Sequence, residues 1–270
     1  MFNRSRQSNN PSKGAQVHKN DTRTFSPWDV PLVLVLLTRL PLPVLPKWLF
    51  ERQSKAAWAY PAAGLVVGGL GCIVGWSAMA VGLSGTVSAV LAVAVLIAAT
   101  GAMHEDGLAD TADGLWGGYT PERRLEIMKD SHIGTYGVLA LLVIQLLRIS
   151  AVASLLAAGS PAGILAATVF SRALMPPLMA GLPNARGSGL SHSVGAPPPL
   201  SVAAGFGLAF VFSLALLGWT ALLPVACAVT ATVGLAIIAK AKIGGQTGDI
   251  LGASQQLSEV AFLLAVAALL

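Results

Sequence analysis

Acidic side chains are concentrated in one short part of this 270-residue chain. Seven of its twelve aspartates and glutamates lie between residues 104 and 133. On a helix, Asp106, Asp110 and Asp113 would share an arc of about 60°, spread over about 10 Å of the helix axis. Glu105 would point about 100° away from Asp106. Like charges on one face repel each other unless a cation compensates them, and Mg²⁺ or Mn²⁺ binds carboxylates together with substrate phosphates.

The other residues of this segment narrow the chemistry further. His104 and His132 are isolated and no thiolate is nearby, so zinc is a poor match. A short helix is expected from Thr120, as its N-cap, and Pro121 through Asp130. Asp130 would then return toward the three aspartates as a fourth carboxylate, and one of the four acids could accept a proton. The alternative is a solvated helix end that carries surface acids.

Three basic residues, Lys129, Arg172 and Arg186, are candidates for binding phosphate, and a fourth, Arg148, is a candidate functional residue. Lys129 and Arg186 lie in polar connections, and for Lys129 an anionic lipid headgroup is an equally suitable partner. Arg172 lies inside an apolar run, where a charge marks a functional site by default, and we expect it near the acidic cluster. Arg148, in the preceding run, has the same status unless its charge extends to the membrane surface.

A glycine-rich segment near the C-terminus, residues 242–253, contains one acid, Asp249. Its flexible backbone amides are suited to holding phosphate. It is not a Walker A loop, because no Gly-Lys-Ser/Thr follows. Residues 184–195, which include Arg186, form a second connection that contains glycine.

The composition indicates which elements must position these groups. Hydrophobic residues make up 54% of the chain and charged residues 11%, with a mean hydropathy of +0.71, whereas a soluble domain carries about 25% charged residues. The sequence therefore predicts an all-α, polytopic integral membrane protein with about seven transmembrane helices. Apolar runs long enough to cross a bilayer lie at 60–82, 86–104, 134–158, 161–183, 200–220 and 222–241, with a shorter run at 257–270.

Three features refine this arrangement. Prolines interrupt residues 29–46, so this segment is predicted to be interfacial or re-entrant rather than spanning. The run 86–104 is expected to continue as a helix through 104–114. The first span carries two pairs of glycines at a spacing of four, which either allow close helix packing or reflect how common glycine is in membrane helices. The pairs are Gly64 with Gly68 and Gly71 with Gly75.

Basic residues predict the orientation of the chain. The connections 105–133, 184–199 and 242–256 carry or adjoin arginine or lysine, whereas the opposite connections do not, so these three are expected to face the cytoplasm. Residues 1–25 are predicted to be a disordered, basic cytoplasmic tail, and 26–270 a single membrane-embedded catalytic domain. Because positive-inside bias explains the tail, membrane lipids are expected as partners and nucleic acid is not.

Several runs of this sequence resemble the signature of the adenosylcobinamide-GDP ribazoletransferase family, also called cobalamin synthases. The first run is HEDGLADTADG at 104–114, continued by Gly117 and Gly118. The second is EIMKDS at 126–131, followed by IGTYG at 133–137. The third is GGQTGD at 244–249 with LGA at 251–253, and LTRLP at 37–41 also fits. The basic tail departs from the family pattern.

The resemblance implies a transferase of the bacterial inner membrane that uses Mg²⁺, or Mn²⁺ as a substitute, at an active site on the cytoplasmic side. α-Ribazole or α-ribazole 5′-phosphate would attack the phosphorus attached to cobinamide in adenosylcobinamide-GDP, and GMP would leave. The expected catalytic acids are Asp106, Asp110, Asp113 and Asp130, of which the first three would hold the metal. The expected substrate ligands are His104, Glu105, Lys129, Ser131, Arg172, Arg186, Gln246, Thr247 and Asp249.

Other membrane proteins with clustered acids are the alternatives. CDP-alcohol phosphotransferases place Ala-Arg after their first Asp-Gly, whereas this chain has Leu108, Ala109 and Asp110 there. Intramembrane prenyltransferases usually carry two Asp-rich motifs on separate helices, and only one such cluster exists here. A cation-coupled transporter would place its acids in mid-membrane, often within an inverted repeat. An assay with each activated donor separates these alternatives. Release of GMP indicates the ribazoletransferase, CMP the CDP-alcohol phosphotransferase and pyrophosphate the prenyltransferase, whereas a transporter releases none of them.

Overall fold

A computed structural model describes residues 23–270 of the protein. Residues 1–22, which form most of the basic tail expected at 1–25, lie outside the described residues. The described part is helical, with one isolated β-bridge between two loops. Its α-helices are α1 (Asp29–Leu37), α2 (Tyr60–Ala80), α3 (Gly85–Thr100), α4 (Met103–Gly117), α5 (Pro121–Ile127), α6 (Thr135–Ala157), α7 (Pro161–Ala173), α8 (Met175–Gly181), α9 (Leu190–Val194), α10 (Pro199–Leu217), α11 (Leu222–Ile243) and α12 (Gly248–Ala267). Short 3₁₀ helices cover Lys47–Arg52, Lys55–Ala59 and Gly218–Ala221.

Five helical runs in residues 23–270 are long and apolar enough to cross a membrane, or six if α3 and α4 together form one bent span. This confirms the polytopic all-α prediction. One of the five, Pro199–Ile243, has 45 residues, or about 68 Å of helix, against about 30 Å of bilayer hydrocarbon. It is interrupted at Gly218, where φ is 61°. Counting α10 and α11 separately would add one further candidate span.

Two of these runs form the interior of the bundle. In the most apolar stretches of α7–α8 and of α12, 83% and 78% of the residues are buried inside the protein. In the other three runs the buried share is 22–39%. Charged or polar groups on α7 and α12 therefore face protein rather than lipid.

The first helix, α1, has nine residues, about 13.5 Å at 1.5 Å per residue, which is too short to cross a bilayer. Its residues Leu32, Val33 and Leu37 are buried in the core. Residues 38–46, which follow, contain three prolines and form no helix or strand before the short helix that begins at Lys47. This agrees with the prediction that residues 29–46 do not span the membrane.

A corner of 88° separates α3 from α4. Residues 104–114 are therefore helical, as the shared face of the aspartates requires, but they form a separate helix and do not continue α3. Gly101 and Ala102 both adopt left-handed backbone conformations, with φ of 64° and 59°. The corner is held from a distant part of the sequence, since the backbone N–H of Arg39 donates to the carbonyl of Ala99 at 2.7 Å. A Cβ on Gly101 would lie 2.5 Å from Cγ of Arg39, so a side chain there would displace Arg39, in addition to the strain of the left-handed backbone.

The last helix, α12, begins at Gly248, nine residues earlier than the predicted run 257–270. Thr247 is its N-cap, and the Thr247 side chain accepts a hydrogen bond from the backbone N–H of Ile250. The glycine-rich loop expected over 242–253 is therefore reduced to the four residues between α11 and α12. The sequence pattern did not reveal this start because the N-cap signal lies inside the glycine-rich segment.

Helix α5 begins as predicted, with Thr120 accepting from the backbone N–H of Arg123 and Pro121 at the first position. It ends at Ile127 and not at Asp130 as predicted, because the residues from 126 to 130 form tight turns. Met128, the residue after this end, is buried, and a Cβ on Gly114 of α4 would overlap its side chain.

Both glycine pairs of α2 serve helix packing, but against different partners. A Cβ on Gly64 or Gly68 would overlap Thr168 of α7. A Cβ on Gly71 would press on α3, and one on Gly75 would press on both α3 and α6. The packing interpretation of these pairs is thus confirmed, since α2 approaches its neighbours wherever the side chain is absent.

Candidate functional site

A pocket of about 290 Å³ opens where α4, α8, α9 and the start of α12 meet. Its charged and titratable lining consists of Tyr60, His104, Asp106, Arg186 and Asp249. The rest of the wall is mainly apolar and includes Leu36, Leu37, Met103, Met175, Met179, Leu190, Val194 and Leu251. Residues predicted separately on three connections are thus brought to one cavity.

Arg186 and Asp249 form an ion pair inside this pocket. Arg186 Nη1 lies 2.8 Å from Asp249 Oδ2, and the two side chains are 13% and 19% exposed. The Nε and Nη2 atoms of Arg186 are buried and have no hydrogen-bond partner among residues 23–270. Two donors of the guanidinium are therefore left unsatisfied by the described residues, in a side chain that lines the pocket.

The loop that carries Arg186 is fastened to the loop before α12. Gln246 donates its backbone N–H to Pro183 at 2.9 Å, and its carbonyl accepts from Ala185 at 2.8 Å. The Gln246 side chain accepts from Ser191 Oγ at 2.6 Å, and the Ser191 hydroxyl also accepts from Asn184 at 2.8 Å. Gln246 is 3% exposed in this bridging position and does not line the pocket. Its predicted contact with substrate stays a prediction.

Two glycines bring α4 close to α12. A Cβ on Gly107 would lie 2.9 Å from the carbonyl oxygen of Asp249, and a Cβ on Gly252 would lie 3.2 Å from Cα of His104. The absence of side chains therefore lets the two backbones touch, which places Asp106 beside Asp249. His104 also faces the pocket, is 1% exposed, and has no partner at Nε2 among the described residues.

The three aspartates of α4 differ in their surroundings. Asp106 is exposed and Asp110 is half-buried, and Asp110 interacts electrostatically with Asp249, Asp106 and Arg186. Asp113 is buried, and its two carboxylate oxygens accept from the backbone N–H groups of Gly134 at 2.7 Å and Gly137 at 2.9 Å. Asp113 therefore caps the start of α6, a role that sequence reasoning missed. Its predicted metal contact stays a prediction.

The loop after α5 lies apart from the pocket. Lys129, Asp130 and Ser131 are exposed, and Asp130 lies 2.6 Å from Nδ1 of His132. The hydrogen bond with His132 lowers the pKa of Asp130 below its ordinary value, and the same bond raises the pKa of His132. A lower pKa makes a carboxylate a weaker base. The structure does not bring Asp130 to Asp106, and the catalytic role expected for it stays a prediction.

A buried ionic network lies behind the pocket. Arg148 contacts Glu105 at 3.0 Å and Glu259 at 2.6 Å, and Arg172 contacts Glu259 at 3.5 Å. Each of the four side chains is at most 9% exposed. Glu105 points away from the pocket, as its helical phase predicted, and Gln256 donates to it at 3.1 Å. Two carboxylates balance two guanidiniums, so the cluster is formally neutral.

This network concerns two predicted substrate ligands. Glu105 and Arg172 both lie within it and do not line the pocket, and their predicted contact with substrate stays a prediction. Glu259, which joins the two arginines, was missed. The signal was present in the sequence, since Glu259 is the only acid within the apolar run 257–270.

Comparison with known proteins identifies the family. The model of the cobalamin-5-phosphate synthase family matches residues 29–267. The chain belongs to this family.

Relatives of this cobalamin-5-phosphate synthase family member cover most of its length. An adenosylcobinamide-GDP ribazoletransferase of Bradyrhizobium diazoefficiens is 48% identical over 220 residues, which are 80% of this chain and 84% of the relative. A protein of the same name from a Sinorhizobium species is 43% identical over 250 residues, which are 88% of this chain and 95% of the relative. Another, from Brucella anthropi, is 41% identical over 242 residues, which are 85% of this chain and 92% of the relative. No solved structure matches the chain.

The site of this cobalamin-5-phosphate synthase family member can be tested for its fit to Mg²⁺. Within residues 23–270, no three His, Cys, Asp or Glu side chains are placed so that they could share one metal ion. Mg²⁺ needs only one or two carboxylates, because water and substrate phosphate complete its octahedron. Asp106, which is exposed in the pocket, and the neighbouring Asp110 meet that requirement. These two residues offer only oxygen donors, and Arg186 lies nearby to bind a phosphate. Such a set of donors fits a Mg²⁺ ion that is held jointly by the protein and a phosphate.

Proposed function

We propose that this protein is an adenosylcobinamide-GDP ribazoletransferase that joins α-ribazole, or α-ribazole 5′-phosphate, to adenosylcobinamide-GDP and releases GMP. The proposal rests on the family and on the names of its relatives. The observation in the structure that carries it is the pocket in which Arg186 presents two unpartnered donors beside Asp106. A guanidinium fork next to a carboxylate is the arrangement expected for a metal-neutralised diphosphate.

The chain's own residues divide the work as follows. Arg186 binds phosphate oxygens through Nε and Nη2, and the backbone amides at the start of α12 add a positive helix end. Asp106 and Asp110 would hold Mg²⁺, which when bound neutralises charge on the transferring phosphoryl group. His104, with its free Nε2, is the further candidate for a contact with substrate.

The proposed reaction is a displacement at one phosphorus atom. An oxygen of a ribazole hydroxyl forms a bond to the phosphorus attached to cobinamide, and the bond from that phosphorus to the bridging oxygen of the diphosphate breaks. GMP leaves with the bridging oxygen, and the proton of the hydroxyl passes to Asp106 or Asp110. The product is adenosylcobalamin, or its 5′-phosphate when the phosphorylated ribazole is used.

The location of the reaction is also a proposal. We place the protein in the bacterial inner membrane with the pocket on the cytoplasmic side, because arginines and lysines occur in the connections around it. Contacts between those connections support a common side. Arg186 pairs with Asp249, and Arg124 donates to the carbonyl of Lys242 at 2.9 Å.

The test is a conversion assay with purified protein in lipid nanodiscs. Adenosylcobinamide-GDP and α-ribazole are added with and without Mg²⁺ or Mn²⁺, and GMP and the corrinoid product are separated by chromatography. We expect one GMP per cobalamin product, and only with a divalent ion present. A folded protein that converts neither form of ribazole, or that releases CMP or pyrophosphate from other activated donors, would contradict the proposal.

A further inference from the structure

A second hollow lies on the outer surface of the bundle, between α4, α6, α11 and α12. Its volume is about 740 Å³, and its wall is almost entirely apolar. Small residues form the trough, namely Ala112, Ala140, Ala231, Gly234, Ala253 and Ala261, and exposed large side chains border it, namely Trp116, Leu139, Val143, Ile238 and Leu264. We call this hollow the α4–α11 groove. It lies on helices that also carry the candidate active site, yet it shares no lining residue with that pocket.

One polar atom in the α4–α11 groove lacks a partner. Thr111 lines the groove, is 3% exposed, and its Oγ1 has no hydrogen-bond partner among the described residues. A threonine in a helix can donate to a carbonyl of the preceding turn, as Thr100 does to Leu96. A buried hydroxyl without a partner is costly, so Thr111 points to a ligand that carries a hydrogen-bond acceptor.

The mouth of the groove is positively charged. Lys242 continues the stripe of α11 that lines the groove, because it follows Ile238 by four residues and Leu235 by seven. Its Nζ lies 4.5 Å from the centroid of the Trp116 ring and donates to the carbonyl of Leu115 at 2.7 Å. Arg124 is fixed beside it by its bond to the carbonyl of Lys242. Two cations and an aromatic ring at one end of an apolar trough match the polar end of a lipid.

We propose that the α4–α11 groove binds one anionic phospholipid. An acyl chain occupies the trough, and the phosphate lies at Lys242 and Arg124. Thr111 is five residues from Trp116 on α4, about 7.5 Å along the axis, so its hydroxyl is placed to donate to an ester carbonyl below the phosphate. The ligand class follows from the combination of apolar trough, one buried donor and cationic mouth, and it does not depend on the proposed reaction.

The site can be tested by crosslinking in liposomes. Phosphatidylglycerol with a photoactivatable acyl chain is compared with the matching phosphatidylcholine, and labelled peptides are mapped. We expect phosphatidylglycerol to label α4 and α11 preferentially. Gly234→Leu should abolish this labelling, because a Cβ on Gly234 would enter open groove space and meet no atom within 4 Å. Ala231→Leu, one turn away, is a second variant that fills the trough.

Matched controls separate the site from general lipid contact. Gly207→Leu in α10 also faces open space but lies outside the groove, and it should leave labelling of α4 and α11 unchanged. Lys242→Gln should remove the preference for phosphatidylglycerol, whereas Lys240→Gln, at an exposed position, should not. Equal labelling by both lipids in the unmodified protein, or labelling of α4 and α11 that survives both Gly234→Leu and Ala231→Leu, would overturn the proposal.

Discussion

Arg186 and Asp249 lie 2.8 Å apart, although one is in the loop before α9 and the other in the first turn of α12. The pair uses one guanidinium nitrogen and leaves Nε and Nη2 of Arg186 for a ligand. The ion pair therefore orients a phosphate-binding group rather than exhausting it.

Replacing Arg186 with Lys should slow turnover. The charge is kept, but the planar fork that can hold two oxygens is lost, and we expect kcat/KM for adenosylcobinamide-GDP to fall by about 10²-fold. The measurement is GMP release against substrate concentration. Arg123→Lys is the matched control, because Arg123 is 65% exposed and pairs with Glu126 on α5. Unchanged kinetics in Arg186→Lys would remove Arg186 from the site.

Asp106→Asn should abolish turnover while the protein stays folded and inserted in the membrane. The substitution keeps the shape of an exposed side chain but removes the charge that a divalent ion requires. Turnover is measured by GMP release, and folding by thermal melting in detergent. Full activity of this variant at ordinary Mg²⁺ concentrations would refute the assigned role.

Asp113→Ala should act mainly on stability. It leaves the backbone N–H groups of Gly134 and Gly137 without their acceptor at a partly buried helix start, which costs about 1–3 kcal/mol. We expect a lower melting temperature in detergent than for Asp106→Asn. If Asp113→Ala melted like the unmodified protein yet lost all activity, a direct metal role for Asp113 would be favoured over capping.

Glu259→Gln should destabilise the protein strongly. The change leaves Arg148 and Arg172 sharing the single carboxylate of Glu105 in a buried setting, and an uncompensated buried charge costs about 3–5 kcal/mol. Adding Arg172→Gln restores formal neutrality. The double variant is therefore expected to melt at a higher temperature than Glu259→Gln alone, and a further drop would show that the charges do not act as a unit.

Gly64→Ala should weaken the packing of α2 on α7. The new methyl group would overlap the backbone of Thr168, and overpacking of this kind costs about 1–3 kcal/mol. Gly69→Ala is the control on the same helix, because a Cβ there meets no atom within 4 Å. Thermal melting of the two variants side by side tests the assignment, which fails if both behave alike.

Local signals in the sequence predicted the helices and much of the pocket. Thr120 and Pro121 predicted the start of α5, and the spacing of Asp106 and Asp110 placed both acids on α4. The corner at Gly101 was missed because Arg39, far away in the sequence, holds it. The capping role of Asp113 was missed for the same reason, since its partners lie on the next long helix.

The buried network could be predicted only in part. A charge within an apolar run marked Arg172 and Arg148 as unusual, but the run does not reveal which partner neutralises each one. That depends on how α4, α6, α7 and α12 are rotated against each other, which is a property of the packed bundle.

The main-chain bonds between Gln246 and the residues on either side of Asn184 have one further consequence. The loop that carries Arg186 can swing away from α12 only by breaking both bonds, at 2.8 and 2.9 Å. The guanidinium is thus already in position before a diphosphate arrives, and little conformational entropy is lost when one binds. The pocket can instead adapt to a bulky substrate through its methionines, because Met103, Met175 and Met179 line it and have flexible side chains.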